Sequence, residues 1–437
     1  MTSTGLLTDH YELTMLAAAL RDGSAQRRCV FEVFARHLPD GRRFGVLAGT
    51  GRLLEALQSF RFDPEQLGWL AEHDVVDAAT RQWLADFSFT GDIDGYAEGE
   101  LYFPDSPVLT VTAPFAEAVL LETLVLSVLN HDTAVASAAA RMVLAARGRP
   151  IIEMGSRRTH EQAAVAAARA AYLAGFAATS NLEAGRSFGV PTAGTSAHAF
   201  VLLHDQERQA FASQVDALGA GTTLLVDTYD IRAGIRAAVQ VTGPELGAVR
   251  IDSGDLAVMA QEARAQLDEL GAHKTRIVVS GDLDEFSIAA LAAAPVDAYG
   301  AGTSVVTGSG APTAGMVYKL VEVDGVAVAK RSVDKATHGG RKHAVRRHRE
   351  SGVATEEVIA AQGQPPAMPH DLTLQVPLVR GGQRVGSAEP LAAVRERVRA
   401  RLASLPWEGL KLSHGEPALP TSYIPAAAHA EANREEQ

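Results

Sequence analysis

Cysteine is almost missing from this chain: Cys29 is the only one in 437 residues. One thiol forms no internal disulfide and builds no zinc ribbon or finger, which need several ligands at fixed spacing. Cys29 stands in the apolar run CVFEVF, so it reads as a buried strand thiol rather than a nucleophile. Long unbroken apolar runs are lacking as well. The richest stretch, APFAEAVLLETLVLSVLNHD, carries Glu117 and Glu122 and reads as a core helix, not a membrane span. The opening MTSTGLLTDHYELTM has acidic residues where a secretory leader has a basic segment and an apolar core. A cytoplasmic, soluble protein without a membrane partner is the expectation. Basic charge is in deficit, 40 Lys+Arg against 52 Asp+Glu. That balance argues against broad nucleic-acid binding but leaves room for an anionic small ligand at a locally basic site.

What is present is an ordinary globular composition, 47% apolar and 21% charged, in a chain long enough for more than one domain. The first 112 residues read as a mixed sheet domain with an N-terminal helix. Its strand-like runs are CVFEVFARHLP, GDIDGYAEGELYF and SPVLTVTAP; the last two alternate apolar and polar residues as half-exposed sheet does. From 113 to 315 the texture changes. An Ala-rich helical tract is followed by seven short apolar runs, each ending in small or polar residues: PIIEMGSRR, GFAATSNL, VPTAGTSAHAF, TTLLVDTYD, AVRIDSGDL, RIVVSGDLD and VDAYGAGTSVV. Helical stretches separate several of them, and parallel neighbours need such crossovers. The expectation is an α/β fold: an irregular (β/α) barrel, one strand short of eight, with an appended mixed sheet domain built from N- and C-terminal segments. Residues 316–412 return to that sheet, through a Val-Asp-Gly hairpin turn, and then form a basic surface helix. Residues 413–437, rich in Pro, Ala and Glu, read as a disordered tail.

In a parallel barrel the C-terminal strand ends share one mouth. Here those ends carry Arg157 and Arg158, Thr179 to Asn181, Thr195 and His198, Asp227 and Asp230. They continue with Arg250, Asp252 and Asp255, then Ser280, Gly281 and Asp282, then Gly300 to Thr303. For any one of them the bland reading is a helix cap, and Asp255 and Asp284 are assigned to capping. Seven ends in register ask for more. The Gly-rich turn at Gly302 and Thr303 suits a phosphate. Asp252 and Asp282 suit a ribose diol, Mg²⁺, or both. Arg250, Arg157 and Arg158 offer bidentate recognition of carboxylate or phosphate. His198 is open between acid, base, phosphoryl acceptor and a structural imidazole.

Six motifs in this order, LLTDHYELTM, EMGSRR, GTSAHAFV, LLVDTYD, VRIDSGDL and YGAGTSVVTG followed by VYKLVEV, resemble the nicotinate phosphoribosyltransferase family from Leu6 to about Arg346. The resemblance implies an α/β barrel with a sheet domain from both chain ends. It implies synthesis of nicotinate mononucleotide and pyrophosphate from nicotinate and phosphoribosyl pyrophosphate in NAD salvage, coupled to ATP hydrolysis, with Mg²⁺, in a homodimer. Carried over residue by residue, His198 is the phosphorylated histidine. Tyr11 is the aromatic that stacks on the pyridine, contributed by the neighbouring subunit. Thr195 and Arg250 hold nicotinate, Thr303 with Gly302 holds the phosphoribosyl phosphate, and Lys319 contacts phosphate; the strand-end reading adds Arg157 to the nicotinate side and Gly281 to the phosphate side. Before Gly339 the family has Pro where this chain has His338, so His338 receives no role.

Pyridine nitrogen has a free lone pair and needs no general base, which fits the absence of a hydrolase triad. Ser180 stands where the nicotinamide enzymes, by resemblance, have an acidic residue, and this favours the acid substrate over the amide. The alternatives are nicotinamide phosphoribosyltransferase, or a barrel lyase or isomerase acting on a sugar phosphate, for which Lys319 is the only Schiff-base candidate.

Overall fold

The computed structural model describes residues 3–330, 338–361 and 363–425. The chain forms two compact units, one from 1–134 with 313–437 and one from 135–312. The first division falls inside the long helix Glu122–Ala146, not at the 112/113 boundary expected from composition. Among the described residues no helix is long and apolar enough to cross a membrane.

The second unit is built on six parallel strands: β1 (Ile151–Glu153), β2 (Ala178–Thr179), β3 (Thr223–Leu225), β4 (Ala248–Ile251), β5 (Arg276–Gly281) and β6 (Ala298–Ala301). Their order is β2-β1-β6-β5-β4-β3. Read as a ring, this is the sequential order of a (β/α) barrel cut open between β2 and β3. The barrel expectation therefore holds for winding and fails for closure. The missing link is the third apolar run, VPTAGTSAHAF. That segment makes one parallel bridge, Thr179 to Thr192, with the Thr179 N–H on the Pro191 carbonyl and the Ala193 N–H on the Thr179 carbonyl, and then turns into a Gly-Thr-Ser loop without pairing to β3. β4 and β6 are buried along their whole length, as strands covered on both faces are.

Helix starts between the strands follow local chemistry. Asp230 accepts the N–H of Ala233 and begins Ile231–Thr242. Asp255 accepts from Ala257 and Val258 and begins Leu256–Glu269. Asp284 forms a capping box with Ser287. Each satisfies donors that a helix start leaves open.

The first unit contains a seven-stranded sheet in which 28–35, 92–96 and 109–114 from the N-terminal segment join 316–323, 326–327, 375–380 and 383–384. The strand 28–35 lies antiparallel between 316–323 and 109–114. At the hairpin after 323, Asp324 and Gly325 both have positive φ, the geometry a two-residue turn between twisted strands demands. The alternation in SPVLTVTAP does not mark an exposed face. Thr110 and Thr112 are buried along with Leu109 and Val111, because this strand is central and covered on both sides. Glu32, fully buried in the strand 28–35, accepts from both Lys342 Nζ at 2.7 Å and the Lys342 N–H at 2.6 Å.

The helix Leu391–Ser404 buries Val394, Val398 and Leu402, spaced four apart, along one face. The tail reading is corrected in part. Arg43 holds the carbonyls of Ser413, His414 and Glu416, and Thr421–Ile424 pairs in parallel with 357–360. Composition hid the short β-favouring stretch Ser422-Tyr423-Ile424. The rest of the expected tail, 426–437, lies outside the described residues.

Candidate active site

Every candidate on the second unit comes from the C-terminal edge of its sheet or the loops that follow. Two adjoining recesses open there. One, of about 250 Å³, is lined by Arg157, Arg158, Gly281, Asp282, Gly302 and Thr303. The other, of about 370 Å³, is lined by Ser180, Gly194, Thr195, Ser196, His198 and Leu225. Met154, Arg157, Arg250 and Asp252 line both.

Arg250 is the shared wall, and its position follows from the strand register. In β4 and β5, Arg250 pairs with Val278, so Asp252 and Ser280, each two residues on, project from the same face. The buried Arg250 guanidinium gives Nε–H to Ser280 Oγ at 2.7 Å and an Nη1–H to Thr195 Oγ1 at 3.1 Å. Its Nη2 is 3.4 Å from Asp252 Oδ2. Five N–H donors less three leaves one on each terminal nitrogen, the fork that binds a planar carboxylate. Beside Ser280 the next strand carries Gly300. A Cβ there would come within 3.0 Å of Ser280 Cβ and 2.9 Å of Met154 Sδ, so glycine keeps the space under the recess open.

The histidine end of the second recess is also organised. His198 opens a short helix and places Nδ1 3.1 Å from Thr228 Oγ1. Its Nε2 lies 3.9 Å from Asp227 Oδ1. Asp227 is almost wholly buried; its Oδ2 accepts from the Asp252 N–H and Ser253 Oγ, both at 2.8 Å, while Oδ1 has no hydrogen-bond partner. Glu207 lies near this end, and burial, with Asp230 and Asp227 adding repulsion, pushes its carboxyl up to about 7. Glu153 is buried under the mouth, takes the Thr179 hydroxyl and the Gly155 N–H, and is raised above the usual carboxylate range by burial.

The two acidic candidates differ. Asp252 Oδ1 accepts the Ser280 hydroxyl at 2.7 Å, whereas Asp282 is exposed at the recess wall. Among the described residues no group of three or more His, Cys, Asp or Glu side chains is arranged for a metal ion.

Residues 6–130 match the nicotinate phosphoribosyltransferase N-terminal domain, and residues 150–351 match the nicotinate phosphoribosyltransferase family. The sequence is 66% identical over 432 residues to nicotinate phosphoribosyltransferase pncB1 of Mycobacterium tuberculosis, covering 97% of this chain and 96% of that protein. The chain belongs to the nicotinate phosphoribosyltransferase family. It is also 38% identical over 365 residues to nicotinate phosphoribosyltransferase of Bacillus subtilis, with 79% of this chain and 73% of that protein covered. Among solved structures, human nicotinic acid phosphoribosyltransferase superposes with a TM-score of 0.83 at 27% identity, over 95% of this chain and 97% of that one.

Of the twelve candidate site residues read from the sequence, ten lie at this mouth or its lining: Arg157, Ser180, Thr195, His198, Arg250, Asp252, Gly281, Asp282, Gly302 and Thr303. Tyr11 and Lys319 belong to the first unit. Tyr11 is half-exposed on the helix His10–Asp22, and burial together with Glu122 pushes its hydroxyl well above the ordinary range. Lys319 sits on the strand 316–323 opposite Glu32. This strand is antiparallel and outside the six-stranded parallel sheet, which removes the strand-end Schiff-base lysine that the lyase alternative needed. Asp227 and Ser280 appear in the sequence among the strand ends, but nothing local distinguishes them from caps; only their partners do.

Proposed function

We propose that this chain joins nicotinate to phosphoribosyl pyrophosphate, with the pyridine in the 370 Å³ recess and the phosphoribosyl group in the 250 Å³ recess. The observation that carries this placement is Arg250, held in the wall common to both with its terminal fork unspent. The fork and Thr195 take the nicotinate carboxylate, while Ser180 adds no charge against it. The Gly302–Thr303 turn and Gly281, with Arg157 and Arg158, hold phosphate, and Asp252 and Asp282 take the ribose hydroxyls.

With both substrates aligned, the pyridine nitrogen lone pair forms the bond to ribose C1′ as the C1′–O bond to pyrophosphate breaks. The barrier falls through alignment and through carboxylates near a carbon that becomes cation-like. Asp282, with Asp252, would hold Mg²⁺, which neutralises charge on the departing pyrophosphate when bound. Energy coupling is assigned to His198. A proton on Nε2 facing buried Asp227 leaves the Nδ1 lone pair as phosphoryl acceptor, with the Thr228 hydroxyl turning aside. ATP loses its γ-phosphoryl to Nδ1, releasing ADP, and water later returns the imidazole and phosphate. A second copy of the chain supplies Tyr11 to stack on the ring; Lys319 is assigned to phosphate and the enzyme to the cytoplasm.

The test incubates the enzyme with phosphoribosyl pyrophosphate, Mg²⁺ and either nicotinate or nicotinamide, with and without ATP, and follows mononucleotide formation. Nicotinate consumption stimulated by ATP is expected. If neither pyridine is consumed, or nicotinamide is preferred, the assignment of the recesses is wrong.

A further inference from the structure

Arg250 and Asp252 carry opposite charges two residues apart on one strand face, and both are needed free for different ligands. Left to themselves, such a pair closes into a side-on bidentate ion pair, with Nε and Nη2 on the two carboxylate oxygens. The structure does not show this. Nε is turned to Ser280 Oγ at 2.7 Å, the same hydroxyl is 2.7 Å from Asp252 Oδ1, and the direct contact, Nη2 to Oδ2, stays at 3.4 Å.

We infer that Ser280 is a positioning residue: its hydroxyl bridges Arg250 Nε and Asp252 Oδ1 and keeps the two from closing into a side-on bidentate pair. This rests on the reading of the two recesses given above. The chemistry is determined by counting. A hydroxyl has one proton. Since Nε–H must be the donor toward Oγ, the Ser280 proton goes to Asp252 Oδ1. One residue thereby fixes the guanidinium plane and the carboxylate together. Ser280 is 2% exposed and lies on a strand whose neighbours set its height through the pairs Val278–Arg250 and Ser280–Gly300. It therefore cannot swing away as a loop hydroxyl does. Without it, Arg250 rotates its Nε edge onto Asp252, leaves Thr195, and turns its terminal fork out of the pyridine recess. Ser280 also lines the 250 Å³ recess, but both hydrogen bonds of its hydroxyl go to Arg250 and Asp252, and its effect on nicotinate is carried through Arg250.

The full-length protein is used, with nicotinate binding measured by equilibrium dialysis so that no turnover is required. Wild type comes first: nicotinate binding there supports the recess assignment independently of Ser280, and its absence sinks that assignment instead. Removing a hydrogen bond to a charged group predicts about a tenfold or larger weakening of nicotinate binding in Ser280→Ala. Ser280→Thr, which keeps the hydroxyl, is expected to stay within roughly threefold of wild type. The deciding comparison uses Asp252→Asn, in which Arg250 has no carboxylate to collapse onto. In that background Ser280→Ala should weaken nicotinate binding less than about threefold. Equal losses in both backgrounds would overturn the bridging role. So would Ser280→Ala binding as wild type does, or a loss that Ser280→Thr shares and that follows a fall in melting temperature.

Discussion

Asp227 is buried beneath His198, with Oδ1 3.9 Å from Nε2 and no other partner for that oxygen. The opposite oxygen takes the Asp252 N–H and the Ser253 hydroxyl. One carboxylate thus ties the imidazole to the turn that follows Arg250.

Asp227→Asn should separate the energy-coupling role from catalysis. The amide oxygen retains an acceptor for the Asp252 turn but gives no charge to Nε2. Loss of a group that orients a reactive imidazole typically costs about 10–100-fold, and the loss is expected in ATP-stimulated mononucleotide formation, with the ATP-free rate changed less. Rates measured with and without ATP check this; equal losses in both would assign Asp227 to folding of the mouth.

Arg250→Lys keeps the charge and removes the fork. Lysine also has no Nε–H to give Ser280, so a 1.5–3 kcal/mol loss, roughly 10–100-fold in KM for nicotinate, is expected. A steady-state KM series at saturating phosphoribosyl pyrophosphate reads it out.

Ser180→Asp tests the discrimination between acid and amide. A carboxylate at the rim of the pyridine recess repels nicotinate and accepts from the amide of nicotinamide. The ratio of kcat/KM for the two pyridines should move toward the amide by at least about tenfold. Direct competition between the two substrates measures that ratio.

Glu207 gives a pH signature. Burial, with Asp230 and Asp227 adding repulsion, raises its carboxyl to about 7 in the folded protein, against 4.5 for the exposed group. The unfolded state therefore binds fewer protons across that window, and this group's contribution to stability falls as pH rises from about 4.5 to 7. Glu207→Gln removes the penalty. It should raise the melting temperature at pH 8 and change it little at pH 4.5; an increase confined to low pH would reverse the assignment.

Lys342 and Glu32 form a buried pair 2.7 Å apart in the first unit. Burial raises the Glu32 carboxyl, and Lys342 opposes the shift. Lys342→Met leaves the carboxylate without a counter-charge, at a cost of about 3–5 kcal/mol. Chemical denaturation should show this, with the double change Lys342→Met, Glu32→Leu recovering most of the loss.

The sequence by itself determined everything that depends on near neighbours. Apolar period and spacing marked all six strands of the parallel sheet, and a seventh run that makes a single bridge. Asp255 and Asp284 were legible as caps because a cap is a contact within three residues. The order of the strand ends placed the charged and hydroxyl residues of the site, and the Asp-Gly turn marked the hairpin after 323. Tertiary structure alone decided what depends on distant segments. The run at 190–192 reads as a strand but keeps a single bridge, to Thr179, because pairing depends on a partner edge that only the assembled sheet supplies. Thr110 and Thr112 are buried because of what lies over their sheet, which alternation does not record. The Ser280 hydroxyl became a spacer, and Asp227 a support for His198, through contacts about 30 residues away in the chain. Those contacts are set by strand register, and register is a property of the assembled sheet.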